Sequence, residues 1–295
     1  MTRLICFAGS ILAALALAAC GTGDTVSLDP VANAATETAK VSSVRIDMTI
    51  TTRSPDLPGG ATSTSSGIMD NRAKRGRITM DMSELADASN GALGGPEAWR
   101  GEQVIDFSNG RLVTYMRVPA MTRALHTAKP WIKLDFQKLG RQMGIDFQQF
   151  MQLGQGNPAQ AVDYLRAASG KVEKKGRETV RGVETTHYHA TIDFEKYPDL
   201  VAPGKRPAMR KTIDRLIELA GVKTVPADVW IGDDQIVRRM TFGYEMRVLD
   251  ANTGERRPME MDMAMELYDF GAAVEIQLPP ARQVLDLMKL IEQGQ

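Results

Sequence analysis

The segment Met259-Glu260-Met261-Asp262-Met263-Ala264-Met265-Glu266-Leu267 constrains the fold more than any other. In an extended chain, successive side chains point to opposite faces. Strict alternation therefore puts four methionines and a leucine on one side and mostly acidic residues on the other. This predicts a half-buried strand in an antiparallel sheet with one apolar and one wet face. The same period recurs at Val44 to Thr51, with Ile46, Met48 and Ile50 inward, and at Arg75 to Met82, with Ile78, Met80 and Met82 on one face. It returns at Ile236 to Leu249, where Met240, Phe242, Tyr244 and Met246 alternate. Ser108-Asn109-Gly110 joins Gln103 to Phe107 and Arg111 to Met116 in a hairpin. Further strands are expected at Gly67 to Asn71, Trp131 to Phe136, Lys171 to Thr179, Val183 to Phe194, Asp228 to Ile231 and Val274 to Leu278. Twelve segments carry the pattern, and about ten or eleven of them are expected to be strands of the sheet.

Helical periodicity interrupts this pattern. Asp29-Pro30 reads as a cap followed by a helix to Lys40. Between Gln137 and Ser169 three pieces are expected: Lys138 to Met143, Asp146 to Leu153, and a helix opening at Asn157-Pro158 with Ala161, Val162, Leu165 and Ala168 on one face. Arg206 to Ala220 has the best amphipathic pattern, with Met209, Ile213, Leu216, Ile217 and Ala220 inward and Gly221 as its stop. Val284, Leu285, Met288 and Ile291 suggest a terminal helix. Ser54 to Gly67, with two prolines and three glycines, reads as a mobile loop, and Ser83 to Pro96 as an exposed excursion.

The N-terminal stretch carries one positive charge at Arg3 and an apolar run from Leu4 to Ala16, too short to span a bilayer but suited to a signal-peptide core. Leu17-Ala18-Ala19-Cys20 resembles the lipobox of bacterial lipoproteins, in which Cys20 would receive diacylglycerol and become the mature N-terminus. The expected organisation is a signal peptide at 1–19, a lipidated cysteine and tether at 20–28, and one folded body at 29–295. Because Cys6 lies in the removed segment, the mature chain would hold neither a disulfide nor a cysteine metal site. Thirty-six basic and thirty-six acidic residues cancel, and no basic cluster is long enough to track a phosphate backbone, which argues against nucleic acid as a partner.

Seventeen methionines against eight phenylalanines make an interior of flexible, unbranched side chains. Each of Met48, Met80, Met82, Met240, Met246, Met259, Met261, Met263 and Met265 could be ordinary core. Taken together, and with Phe242 among them, they suggest a wall that repacks around variable apolar ligands. His187 and His189 share one strand face, expected to be the solvated one, and no third metal ligand is identifiable nearby. There is no Gly-x-Ser-x-Gly elbow, no catalytic cysteine in the mature chain and no Gly-rich phosphate loop. No cofactor, metal site or catalytic residue is assigned, and the chain is read as a non-enzyme.

The layout as a whole resembles the actinobacterial LppX/LprG-type lipoproteins, which share a half-barrel fold with the LolA/LolB lipoprotein carriers. The residues that carry the resemblance are Trp131-Ile132-Lys133-Leu134, Asn157-Pro158 to Leu165, and Gly176 to Val183 leading into Thr186-His187-Tyr188. Val229-Trp230-Ile231 and Asp269-Phe270-Gly271 leading to Leu278-Pro279-Pro280 complete them. The resemblance implies an α+β fold, a curved antiparallel sheet with helices on its concave face around an apolar cavity. It also implies a lipoprotein, anchored on the extracytoplasmic side of the cell membrane through Cys20, that takes up an acylated lipid or glycolipid and carries or presents it in the envelope. A transporter partner there is unidentified. Two other readings stand beside it: an envelope structural or signalling lipoprotein with a solid core, and a cell-envelope hydrolase.

Overall fold

A computed structural model describes residues 30–55, 57–86, 91–143, 172–249 and 255–293. The first half runs α1 (Pro30–Lys40), β1 (Ser43–Ser54), β2 (Leu57–Asp70), β3 (Arg75–Asp81), β4 (Arg100–Asp106), β5 (Val113–Arg117), α2 (Pro119–Ala124), β6 (Trp131–Asp135) and α3 (Phe136–Met143). The second half runs β7 (Glu173–Val180), β8 (Val183–Asp193), α4 (Tyr197–Leu200), α5 (Arg206–Ala220), β9 (Thr224–Gly232), β10 (Val237–Leu249), β11 (Arg256–Tyr268), β12 (Val284–Asp286) and α6 (Leu287–Glu292). The expected helices at 146–153 and 157–169, the cap at Asp29 and the lipidation site Cys20 lie outside the described residues.

The strands form one open, curved sheet in the order β12-β6-β5-β4-β3-β2-β1-β11-β10-β9-β8-β7. From β6 across to β7 in this order every neighbouring pair is antiparallel, and β1 meets β11 in the middle, Met48 opposite Met265 and Ile50 opposite Met263. The sheet has twelve strands among the described residues rather than ten or eleven, and it is mixed rather than wholly antiparallel. The exception is β12, which pairs parallel to β6 with Val284 opposite Trp131.

Three local expectations are corrected. Ser54 to Gly67 is mostly strand, because a Ser/Thr run pairs on both sides, with Thr51 opposite Thr62 on β1 and Ser66 opposite Thr79 on β3. Turn chemistry is confined to its start, where Gly59 and Gly60 have φ of 95° and 78° and the β1–β2 register shifts. Val274 to Leu278 is not a strand. It crosses the outer face of the sheet as an extended strap, with Ile276 buried against Val104 and Trp131, and Val274 and Leu278 packed beside it. Its backbone is held by side chains, Arg75 Nη1 donating to the Ile276 carbonyl and Arg77 Nη2 to that of Gln277, each at 3.3 Å. The alternation is real, but its partner is a sheet face and not an edge. The strap delivers the chain to β6, so Val284 and Leu285 enter a short strand, and the terminal helix begins only at Leu287.

Glycine permits the curvature at two places. A Cβ on Gly67 would lie 2.2 Å from the Arg77 carbonyl oxygen, and one on Gly101 2.2 Å from that of Arg117, so these strands coil more tightly than any side chain allows. The concave side holds most of the core. Ala34 of α1 packs on Val229, Ile231 and Met265, and Met288 of α6 is fully buried. On α5, Met209 and Ile213 are buried with Val201, and Gly221 closes the helix in a left-handed conformation at φ 74°. Leu216, Ile217 and Ala220, expected inward, are half-buried.

Candidate functional site

The concave faces of β1, β11 and β10 meet in register. Met48, Met265 and Met240 lie in one cross-strand row, and Ile50, Met263 and Phe242 in the next. Met261 then faces Tyr244, and Met259 faces Met246. Direct cross-strand neighbours stand about 5 Å apart, so these side chains form one surface. Met259, Met261, Met263 and Met265 are 8%, 5%, 7% and 1% exposed. They are therefore a packed wall and not an open lining among the described residues.

The ten candidates do not all belong to one patch. Met246, Met259, Met261 and Met263 pack together with Val222 and Val225, with Met48 and Phe242 half-buried beside them. Met240 and Met265 belong to the adjoining cluster beneath α1, and Met80 is shared between that cluster and a third. Met82 sits in the third, with Trp99 and Met121. Between Met48 and Met80 the wall is interrupted by Ser65 of β2, a small residue opposite both. Cross-strand placement of this kind cannot be read from any single strand.

Tyr244, one member of the β10 alternation, reports the environment. Burial pushes its phenol up to about 12, and its hydroxyl donates to Met261 Sδ at 3.7 Å. A polarizable, low-dielectric surface of unbranched side chains suits noncovalent contact with flexible apolar groups.

The outer face of the same strands is ionic. His187, Trp230, Arg239, Glu266 and Asp47 occupy one row across β8, β9, β10, β11 and β1. His187 stacks on Trp230 at 4.2 Å between ring centroids, while its Nδ1 and Nε2 lie 3.0 Å from Glu178 and 2.8 Å from Asp228. His189 shares Asp228 at 3.0 Å. Burial opposes ionisation of Asp228, but hydrogen bonds to the two histidines outweigh it and hold the carboxyl below its ordinary range. Arg181, on the β7–β8 turn, reaches Glu266 and Asp47 and covers the Tyr268 ring. The two histidines thus lie on the outer face, as read from the sequence, but His187 is held in a stack rather than freely solvated. Among the described residues no group of three or more His, Cys, Asp or Glu side chains is arranged to hold a metal.

An open curved sheet, apolar and helix-covered within and ion-paired without, is the class of architecture these features define. No protein-family model matches the chain. An uncharacterized 31.2 kDa protein from the rplA-rplJ intergenic region of Streptomyces griseus is 28% identical over 169 residues, 56% of this chain and 51% of that protein. The chain thus spans about half the length of the curated relative it matches. Among solved structures it is similar to the lipoprotein LppX of Mycobacterium tuberculosis, at 10% identity and a TM-score of 0.45 over 84% of this chain and 96% of that one. It is also similar to LprF of Mycobacterium bovis, at 13% identity and a TM-score of 0.40 over 85% and 95% of the two chains.

Proposed function

We propose that the protein is a lipoprotein, anchored through diacylglyceryl-Cys20 on the extracytoplasmic side of the cell membrane, that binds an acylated lipid or glycolipid against the methionine wall and carries or presents it in the envelope. The observation that carries this reading is the register of β10, β11 and β1, which merges separate methionine alternations into one soft apolar surface. An acyl chain of about sixteen carbons buried there would contribute on the order of 12 kcal/mol before ordering costs. No helix of the described residues is long and apolar enough to cross a membrane. Two acyl chains on Cys20 would supply a lasting anchor, and Cys20→Ser is expected to release the protein from the membrane fraction in a high-salt wash.

A second reading is favoured by the low exposure of Met259, Met261, Met263 and Met265: the wall is a solid core. The two separate when lipid occupancy, by native mass spectrometry of protein purified from cells, and thermal midpoint are measured on the same samples. A lipid wall predicts bound lipid, with Met261→Glu lowering occupancy far more than Glu260→Lys on the outer face. A solid core predicts no lipid in any preparation and a loss of about 2 to 5 kcal/mol for Met263→Ala. That second pair of results would remove the carrier reading.

A further inference from the structure

From Leu200 to Ile213 the chain holds four cations, Lys205, Arg206, Arg210 and Lys211, bounded by the carboxylates of Asp199 and Asp214. All four are exposed, and so are the small apolar residues set among them, Pro203, Pro207 and Ala208. The buried side of α5, Met209 and Ile213, holds this face outward. Arg210 meets Asp199 at 3.4 Å, while Arg206 donates to the backbone carbonyls of Val201 and Asp199, which leaves its charge uncancelled. A cleft of about 790 Å³ opens beside Arg210, Lys211 and Arg215, lined also by Gln142 of α3, Asp214 and Glu218, the last paired with Arg215 at 2.7 Å. The far end of α5 sits on the methionine wall: Ala220 and Val222 pack with Met246 and Met259, and Arg256 donates to the Glu218 carbonyl.

We infer that this face of α5 docks the protein on an anionic bilayer surface, its cations against lipid phosphates. The patch is one helix face long, too short to follow a nucleic-acid backbone, and its prolines and alanine match the mixed polarity of the headgroup layer. Cations near an anionic bilayer act additively and are screened by salt. Docking here would bring the α5 end of the methionine wall to the membrane. That consequence rests on the lipid-binding reading above, whereas docking itself does not.

The test uses the full chain carrying Cys20→Ser, so that no acyl anchor contributes, and compares vesicles of phosphatidylcholine with vesicles of phosphatidylcholine and phosphatidylglycerol. Binding to the anionic vesicles should exceed binding to the neutral ones, and the excess should disappear at high salt. Lys205→Gln with Lys211→Gln should reduce the excess by roughly five-fold for each cation removed. Lys174→Gln with Lys289→Gln, two exposed cations elsewhere, should leave it unchanged. Equal binding to both vesicles overturns the inference, as does an equal loss from the Lys174 and Lys289 pair. Displacement by inorganic phosphate at constant ionic strength would assign the cations to a soluble anion and overturn it too. Because the readout is vesicle binding and not lipid occupancy, it can fail or hold separately from the carrier reading.

Discussion

At the scale of single residues the outer face is governed by Glu266, which receives both Nε and Nη2 of Arg239, at 3.0 and 2.6 Å, and Nε of Arg181 at 2.5 Å. Burial opposes its ionisation, but the hydrogen bonds and charges of the two arginines outweigh that and hold its carboxyl below the usual range. A carboxylate with a depressed folded-state pKa stabilises the fold above its unfolded value, about 4.3, and loses that contribution as pH falls through the folded value. Glu266→Gln should therefore lower stability by about 1 to 2 kcal/mol at neutral pH, after allowance for solvent screening at its exposed edge. Thermal midpoints of wild type and variant should converge as pH falls below about 4. Curves that stay parallel through that range would show that Glu266 acts by packing and not by charge.

At the scale of elements, curvature depends on places where a strand cannot carry a side chain. Gly67 faces Ile78 on the concave side, and its missing Cβ would meet the backbone oxygen of Arg77, which cannot swing aside as a flexible side chain would. Gly67→Ala should cost about 1 to 3 kcal/mol or more by forcing β2 and β3 apart. Gly95→Ala, at a site with nothing within 4 Å, should be close to neutral. Denaturant midpoints compare the two; equal effects would mean that the bend does not need the glycine. The same contrast explains β2, where short Ser and Thr side chains make a strand that composition alone describes as a loop.

For the molecule as a whole, the decisive feature is the strap at 272–280, which carries the chain from the central strand β11 across the outer face to the edge pair β12 and β6. Ile276 is 4% exposed there and is the strap's main apolar contact. Ile276→Ala should destabilise by about 2 to 4 kcal/mol. If the strap holds the edge, amide exchange in β6 and β12 should accelerate more than in β10 and β11. A uniform change over all strands would show that strap and sheet unfold as one unit.

The sequence alone determined whatever depends on period and cap. Alternation marked β1, β3, β10 and β11 and sorted their residues by face, because a strand's side chains alternate whatever it pairs with. Asn109-Gly110 marked the β4–β5 hairpin and Gly221 the end of α5, since both need backbone conformations that few residues adopt. The methionines of β11 lie on the buried face that the alternation predicts. Only the tertiary structure decided which strands are neighbours: β1 beside β11, more than two hundred residues apart, turns two methionine runs into one wall, and nothing local encodes that pairing. It also decided that Val274 to Leu278 lies on a face and not in a ladder, because alternation reports where side chains go and not where the backbone hydrogen bonds do. The outer row from Asp47 to His187 was hidden for the same reason: its members come from five strands, and only register sets them side by side.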